Sequence, residues 1–238
     1  MPAGLDWSVL WRPPYGAQVL DAILLTVQIA VVSWVIAMIV GVLVGLGREA
    51  PLTPVRLLAG AHVEVFRNIP VLVQLFFVYY VLPRLLPLDM RRALFRMGWE
   101  TGAAVLALSM YSSAKIAEHV RAGLNAVSRH VRQGALATGL TWWQAQRCVI
   151  LPLLLRVIAP SLTSEFVTIF KGSSLAMTVG VVETAYITQE IGADTFHWVE
   201  ANTLGTVVYL ACALLIAGVM SLVERWTYVP GLMRRESG

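Results

Sequence analysis

An all-helical protein of the lipid bilayer is the fold this sequence predicts, and three observations predict it. Of 238 residues, 58% are hydrophobic and only 13% are charged, so the chain carries more apolar surface than a soluble domain of this size can bury. Mean hydropathy is +0.71. Several stretches also have no polar face, which a helix in a water-soluble bundle needs, and they reach the roughly 20 residues that cross a hydrocarbon core of about 30 Å.

Composition narrows the function classes. Cys148 and Cys212 fall in or beside apolar stretches without CxxC or metal-ligand spacing, and read as packing residues. Lys115 and Lys171 are the only lysines among the 18 basic residues, which leaves 16 arginines. These are spread between spans rather than gathered on one face, so no nucleic acid partner is expected. A net charge of +4 suits a cytoplasmic face that meets anionic headgroups. The start, MPAGLDWSVLWRPPYGAQ, has no basic segment followed by an apolar core, and no cleavable leader is expected.

Five spans are expected. The first covers about residues 18–47 and contains Gly41-Val-Leu-Val-Gly45, a pair that lets another helix approach closely, although chance supplies the pattern about as often in a glycine-rich run. The second, residues 57–86, is polar at Glu64, Arg67 and Asn68 and then apolar through VLVQLFFVYYVLP. Its Phe76, Phe77, Tyr79 and Tyr80 suit a membrane–water belt. The third covers residues 99–117 and the fourth 150–170. After Lys171, GSSLAMTVGVVETAYITQEIG is too broken by Gly, Ser and Glu to be a simple span. The fifth, residues 203–223, is the clearest.

Basic residues in short loops stay cytoplasmic. With the N-terminus outside, the inner loops hold ten: Arg48, Arg56, Lys115, Arg121, Arg129, Arg132, Arg147, Arg225, Arg234 and Arg235. The outer loops hold five, Arg12, Arg84, Arg91, Arg92 and Arg96. The bias favours N-out and C-in, with residues 1–16 outside, a transmembrane domain over 17–226 and a cytoplasmic tail over 227–238. The four arginines from Arg84 to Arg96 run against the trend. They either attract an acidic ligand or partner, or form a tolerated basic loop.

Residues 128–152 interrupt the apolar pattern. Ser128 is a candidate N-cap, and Gly139 a candidate left-handed stop for the helix that follows. Thr141-Trp-Trp-Gln144 has capping-box spacing and restarts a helix. Gly134, Ala135 and Ala137 allow close approach, and Trp142 and Trp143 supply contact area. Such a helix–turn–helix suits either a cleft on a partner or the lipid surface.

This segment resembles the cytoplasmic EAA loop of ABC importer permeases, whose pattern is Glu-Ala-Ala, three residues, Gly, nine residues, Ile-x-Leu-Pro. Gln133-Gly134-Ala135 stand at the Glu-Ala-Ala positions, Gly139 at the glycine, and Val149-Ile150-Leu151-Pro152 close the motif. The likeness runs from about Ala17 to Arg225. Glu64-Val-Phe-Arg67-Asn68-Ile-Pro70-Val-Leu-Val-Gln74, Val120-Arg-Ala-Gly-Leu, Ile158-Ala-Pro160-Ser-Leu-Thr-Ser-Glu165 and Phe170-Lys171-Gly-Ser-Ser174-Leu-Ala are similar to polar amino acid importers, most of all to glutamate/aspartate permeases.

That resemblance implies a type I importer transmembrane domain in the bacterial inner membrane. The loop would be a coupling helix docked on a separate ATPase that binds ATP and Mg, with no cofactor in this chain. Gln133 in place of glutamate offers a neutral hydrogen bond instead of an ionic contact. A second permease, identical or related, and an extracytoplasmic binding protein are the other implied partners.

Charges inside spans must face protein, water or an interface. Glu64 and Arg67, at i,i+3, are expected to pair along one helix face, and Pro70 to break the helix and free carbonyls for a neighbour. Glu165, Lys171 and the serines after it make a polar break at membrane depth. The substrate path is therefore placed beside Lys171, Ser173 and Ser174, with Glu183 nearby. Alternatively, Lys171 pairs with Glu165 or Glu183 and only holds the fold.

Other classes find less support. There is no GxxxxGK[ST] to cradle ATP in this chain. His62, His119, His130 and His197 are scattered, without HExxH or a nucleophile–base spacing, so an enzyme is not expected. A stand-alone ion-coupled transporter would show internal inverted repeats, and none is evident.

Overall fold

The computed structural model describes residues 4–126 and 129–227. Ser128, the expected N-cap, and the tail after residue 227 lie outside these. Every regular element among the described residues is helical. A short 3-10 helix, Trp7–Trp11, has Asp6 as its N-cap. The Asp6 carboxyl sits below its ordinary range because the Ser8 hydroxyl and N–H donate to it and Arg12 lies beside it.

α1, Tyr15–Gly47, has 33 residues, about 50 Å of helix and more than the hydrocarbon core requires. Its outer side exposes Leu20, Leu24, Val31, Val35, Ile39 and Leu43, a surface for lipid. The other side is small: Ala22, Ala30, Ala37, Gly41 and Gly45 are buried. It packs along α5, Trp99–Ala126. A methyl on Gly41 would lie 2.7 Å from the Ile116 side chain, and one on Gly45 2.6 Å from that of Val120. The Gly41/Gly45 pair is thus a helix–helix contact and not a chance pattern. Ser109 donates to the Ser33 carbonyl further along the seam at 3.3 Å, so α1 and α5 run in the same direction.

Between them the chain turns back through α2, Thr53–Asn68, and α3, Val71–Phe76, which continues as π-helical Phe77–Val81 and 3-10 Leu82–Leu85. The two halves bend by 104° at Ile69–Pro70. Proline has no N–H to donate and restricts the residue before it to extended backbone, which is the conformation of Ile69. The freed carbonyls of Phe66 and Ile69 each accept from Gln74 Nε2 at 2.8 Å, so the neighbour that satisfies them is a residue of the same segment.

α4, Leu88–Arg96, is short and has no buried residue. After α5 come α6, Arg129–Ala137, and α7, Trp142–Ala145, then a π-helical turn, Gln146–Ile150, and α8, Leu151–Gly172. α8 is antiparallel to α5, since Gly123 meets Leu154 and Ile158 whereas Gly172 meets Leu108. A 3-10 helix, Ser173–Val179, ends at left-handed Gly180. α9, Thr184–Thr195, then runs beside the start of α1, and α10, Trp198–Thr227, returns along α8 and α9. The break after Lys171 is therefore a change of helix type inside one traverse.

Among the described residues, three helical segments are long and apolar enough to cross a membrane, 15–47, 147–179 and 198–223, and a fourth if the bent pair 53–68 and 71–85 is one span. The third expected span is longer than residues 99–117 and more polar. It is the 28-residue α5, which carries Glu100, Lys115, Glu118 and Arg121. One core cluster joins α1, α5 and α8 around Ile116, Val120, Leu154, Ile158 and Phe170. Cys212 packs against it, but Cys148 is exposed and is not a packing residue.

Candidate functional site

The elbow between α5 and α8 is built from local chemistry. α6 stops where Gly139 takes φ +85°, a left-handed conformation that costs a side-chain-bearing residue about 1–2 kcal/mol. The Gly139 N–H donates to the Leu136 carbonyl at 3.1 Å. Thr141 then opens α7 with a reciprocal cap: its N–H donates to Gln144 Oε1 at 2.9 Å, and the Gln144 N–H donates to Thr141 Oγ1 at 3.3 Å. Ala135, Ala145 and Ile150 are buried where α6 folds back on α7 and the π-helical turn. Val149 and Leu151 pack onto the main core, and Pro152 follows directly on the π-helical turn at the start of α8. The side chains of Trp142 and Trp143 lie outside the described residues.

The outward side of this elbow is small and uncovered. Gln133, Gly134, Leu136, Ala137 and Gly139 are all exposed, and a methyl on Gly134 or Gly139 would meet nothing within 4 Å. Glycine inside a helix costs about 0.5–1 kcal/mol relative to alanine, and no packing among the described residues asks for it at Gly134.

Deeper charges pair differently from the local expectation. Glu64 does not hold Arg67. It accepts from Asn68 Nδ2 at 3.1 Å, while Arg67 lies 3.9 Å from Glu118 on α5. Glu118 also takes Arg48 from the end of α1, and Arg121 at 3.1 Å, so three arginines from three helices meet one carboxylate. Glu165 is 93% buried, with Lys115 Nζ at 3.6 Å and His119 Nε2 at 3.8 Å from the same oxygen. Its other oxygen, Oε2, is buried without a hydrogen-bond partner among the described residues. Lys115, read from sequence as a loop residue, stands on α5 opposite α8 instead.

Glu183 is fully buried and caps α9. It accepts from the N–H groups of Ala185 and Tyr186, both at 3.0 Å, from the Tyr209 hydroxyl at 2.6 Å and from Thr26 at 3.3 Å. It is a structural cap with every ligand inside the chain. Lys171 therefore pairs with neither Glu165 nor Glu183. It is exposed, on a side of α8 that also shows Ser164 and Thr168, and the half-exposed Ser174 and exposed Thr178 continue that side along the 3-10 turn. Ser173, expected beside the path, is buried with its hydroxyl on the Phe170 carbonyl at 2.6 Å. Sequence alone gives no sign of the roles of Lys115, His119, Glu118, Thr26 and Tyr209, because each has a partner on another helix.

The described residues thus make a many-helix domain with an exposed elbow at one end and a line of exposed polar positions, Ser164, Thr168 and Lys171, along α8. The chain belongs to the family described as binding-protein-dependent transport system inner membrane component, whose model matches residues 37–228. It is 33% identical over 247 aligned positions to the glutamate/aspartate import permease protein GltJ of Escherichia coli (strain K12), covering 96% of this chain and 98% of that one. The arginine transport system permease protein ArtQ of Bacillus subtilis (strain 168) is 29% identical over 207 positions, covering 87% and 91%. A crystal structure of an amino acid ABC transporter with histidines superimposes at a TM-score of 0.78 with 26% identity, covering 93% of this chain and 98% of that one.

Proposed function

We propose that this chain is the permease subunit of an ABC importer that carries glutamate and aspartate across the inner membrane, driven by ATP hydrolysis in a partner subunit. The observation that carries the reading is the elbow. Its Gln133, Gly134, Ala137 and Gly139 face is exposed, small and unpacked by the described residues, as a surface meant for a close-fitting partner must be. The partner is the ATPase, which binds ATP and Mg. Likeness to GltJ supports glutamate and aspartate. Likeness to ArtQ supports a second reading, import of another polar amino acid such as arginine.

The traverses number five, α1, the bent α2–α3 pair, α5, α8 to α9, and α10, with the N-terminus outside and the elbow and C-terminus in the cytoplasm. A charged group facing lipid costs at least ~3 kcal/mol. The exposed Lys171, with Ser164, Thr168 and Ser174 in line with it, therefore faces a water-filled path closed by a second permease, identical or related. Closure of a binding protein outside and of the ATPase inside rocks that pair between outward and inward access.

The test is disulfide trapping and transport in one preparation. Gln133→Cys and Ala137→Cys are expected to cross-link to the ATPase, and the reconstituted complex to take up glutamate and aspartate in preference to glutamine, histidine and arginine. An elbow that reaches only phospholipid, with no ATPase bound, refutes the reading.

A further inference from the structure

One side of α5 is uncovered and carries cations that the described residues do not fully match. Tyr111, Lys115, Glu118, His119 and Ala122 are half-buried or exposed, and at 3.6 residues per turn they share an arc of about 100°. Ser112, Ser113, Ala114, Ile116, Ala117 and Val120, which alternate with them along the helix, are buried. Glu165 of α8 stands at one edge of this strip and Arg67 of α2 at another. Glu118 is already matched by three arginines. Lys115 and His119 are left to share Glu165.

That carboxylate holds Lys115 loosely. Its distances of 3.6 Å to Lys115 and 3.8 Å to His119 both exceed the roughly 2.7–3.2 Å of an N–H···O hydrogen bond. The Tyr111 ring, with its centroid 4.7 Å from Lys115 Nζ, attracts the ammonium through its face but is no hydrogen-bond acceptor of ordinary strength. The three N–H donors of Lys115 therefore have no close oxygen acceptor among the described residues, and 28% of the side chain is exposed.

We propose that Lys115 selects acidic substrates by binding their side-chain carboxylate. The proposal rests on the permease reading and its water-filled path. Charged groups at membrane depth avoid lipid, so the strip on α5 opens to the same water as Lys171, which lies six residues beyond Glu165 on α8, about 9 Å of helix. Every amino acid brings an α-carboxylate, and one cation on the path serves all of them. A second cation has a use when the substrate brings a second carboxylate. Glutamine has almost the same shape as glutamate, but in place of one carboxylate oxygen it sets an N–H₂ donor against an ammonium that can only donate. A lysine that served Glu165 alone would treat the two amino acids alike.

The experiment uses the permease–ATPase complex in lipid nanodiscs without the binding protein, so that any preference belongs to the complex. The same complex in vesicles with the binding protein is assayed for ATP-driven uptake. Equilibrium binding of radiolabelled glutamate and glutamine to the parent is expected to favour glutamate by about tenfold or more. In Lys115→Gln glutamate binding is expected to weaken about tenfold while glutamine binding stays within about twofold, and Lys115→Arg is expected to keep most of the preference. Lys115→Gln/Glu165→Gln leaves no buried carboxylate without its cation; it guards against a folding defect and is expected to show the same loss of preference. An unchanged glutamate-to-glutamine ratio, or equal weakening of both, overturns the proposal and makes Lys115 a structural partner of Glu165. So does a parent complex that does not distinguish the two while its vesicles still take up glutamate. A parent with no ATP-driven uptake overturns the permease reading, and the selectivity proposal with it.

Discussion

Adding a single methyl at Gly45 tests the packing on which the rest of the molecule is hung. An alanine Cβ there would stand 2.6 Å from Val120 Cβ and Cγ1 and 3.0 Å from the Ala117 carbonyl oxygen. Carbon atoms in contact prefer about 3.5–4.0 Å, so α1 and α5 must separate by about 1 Å along a seam that also holds Gly41 against Ile116. Overpacking of this kind costs about 1–3 kcal/mol, while replacing glycine inside a helix returns up to about 1 kcal/mol. Gly60→Ala on α2 is the internal standard, because a methyl there meets nothing within 4 Å and should only gain. In reversible unfolding by SDS from mild detergent, Gly45→Ala is expected to fall about 1–3 kcal/mol below Gly60→Ala. Moving the gap to the other helix with Val120→Gly should recover part of the loss, seen as a favourable coupling of about 1 kcal/mol. If Gly45→Ala matches Gly60→Ala in stability, the close seam between α1 and α5 is wrong.

Two more outcomes follow from the buried polar positions. Glu183→Ala leaves the Tyr209 hydroxyl and the Ala185 and Tyr186 N–H groups without their acceptor, and with the lost cap this should cost about 3 kcal/mol or more; a loss under about 1 kcal/mol in the same SDS titration contradicts the capping role. Lys171→Met should leave the protein folded, since Lys171 has no ion pair among the described residues, and should sharply lower binding-protein-stimulated uptake. Normal uptake by that variant removes Lys171 from the path.

Much of the site was legible locally. Gly139 ends α6 because left-handed backbone favours glycine, and Thr141 and Gln144 cap α7 because their spacing brings each side chain to the other's N–H. Pro70 marks the bend by the same kind of reasoning. What misled was also local. Glu64 and Arg67 sit at i,i+3 and invite a pair, yet Arg67 lies by Glu118, 51 residues further along the chain. Lys115 reads as a loop cation until α8 brings Glu165 to within 3.6 Å of it.

By itself, then, this sequence determined that the chain is helical and apolar, and where it bends at Pro70 and turns at Gly139, because apolar run length, proline and glycine act within a few residues of themselves. Only the tertiary structure decided which charge meets which, that Lys171 is left over, and that Gly41 and Gly45 are contact points. Those outcomes depend on the register between helices such as α5 and α8, and register is set by side chains far apart along the chain packing in three dimensions.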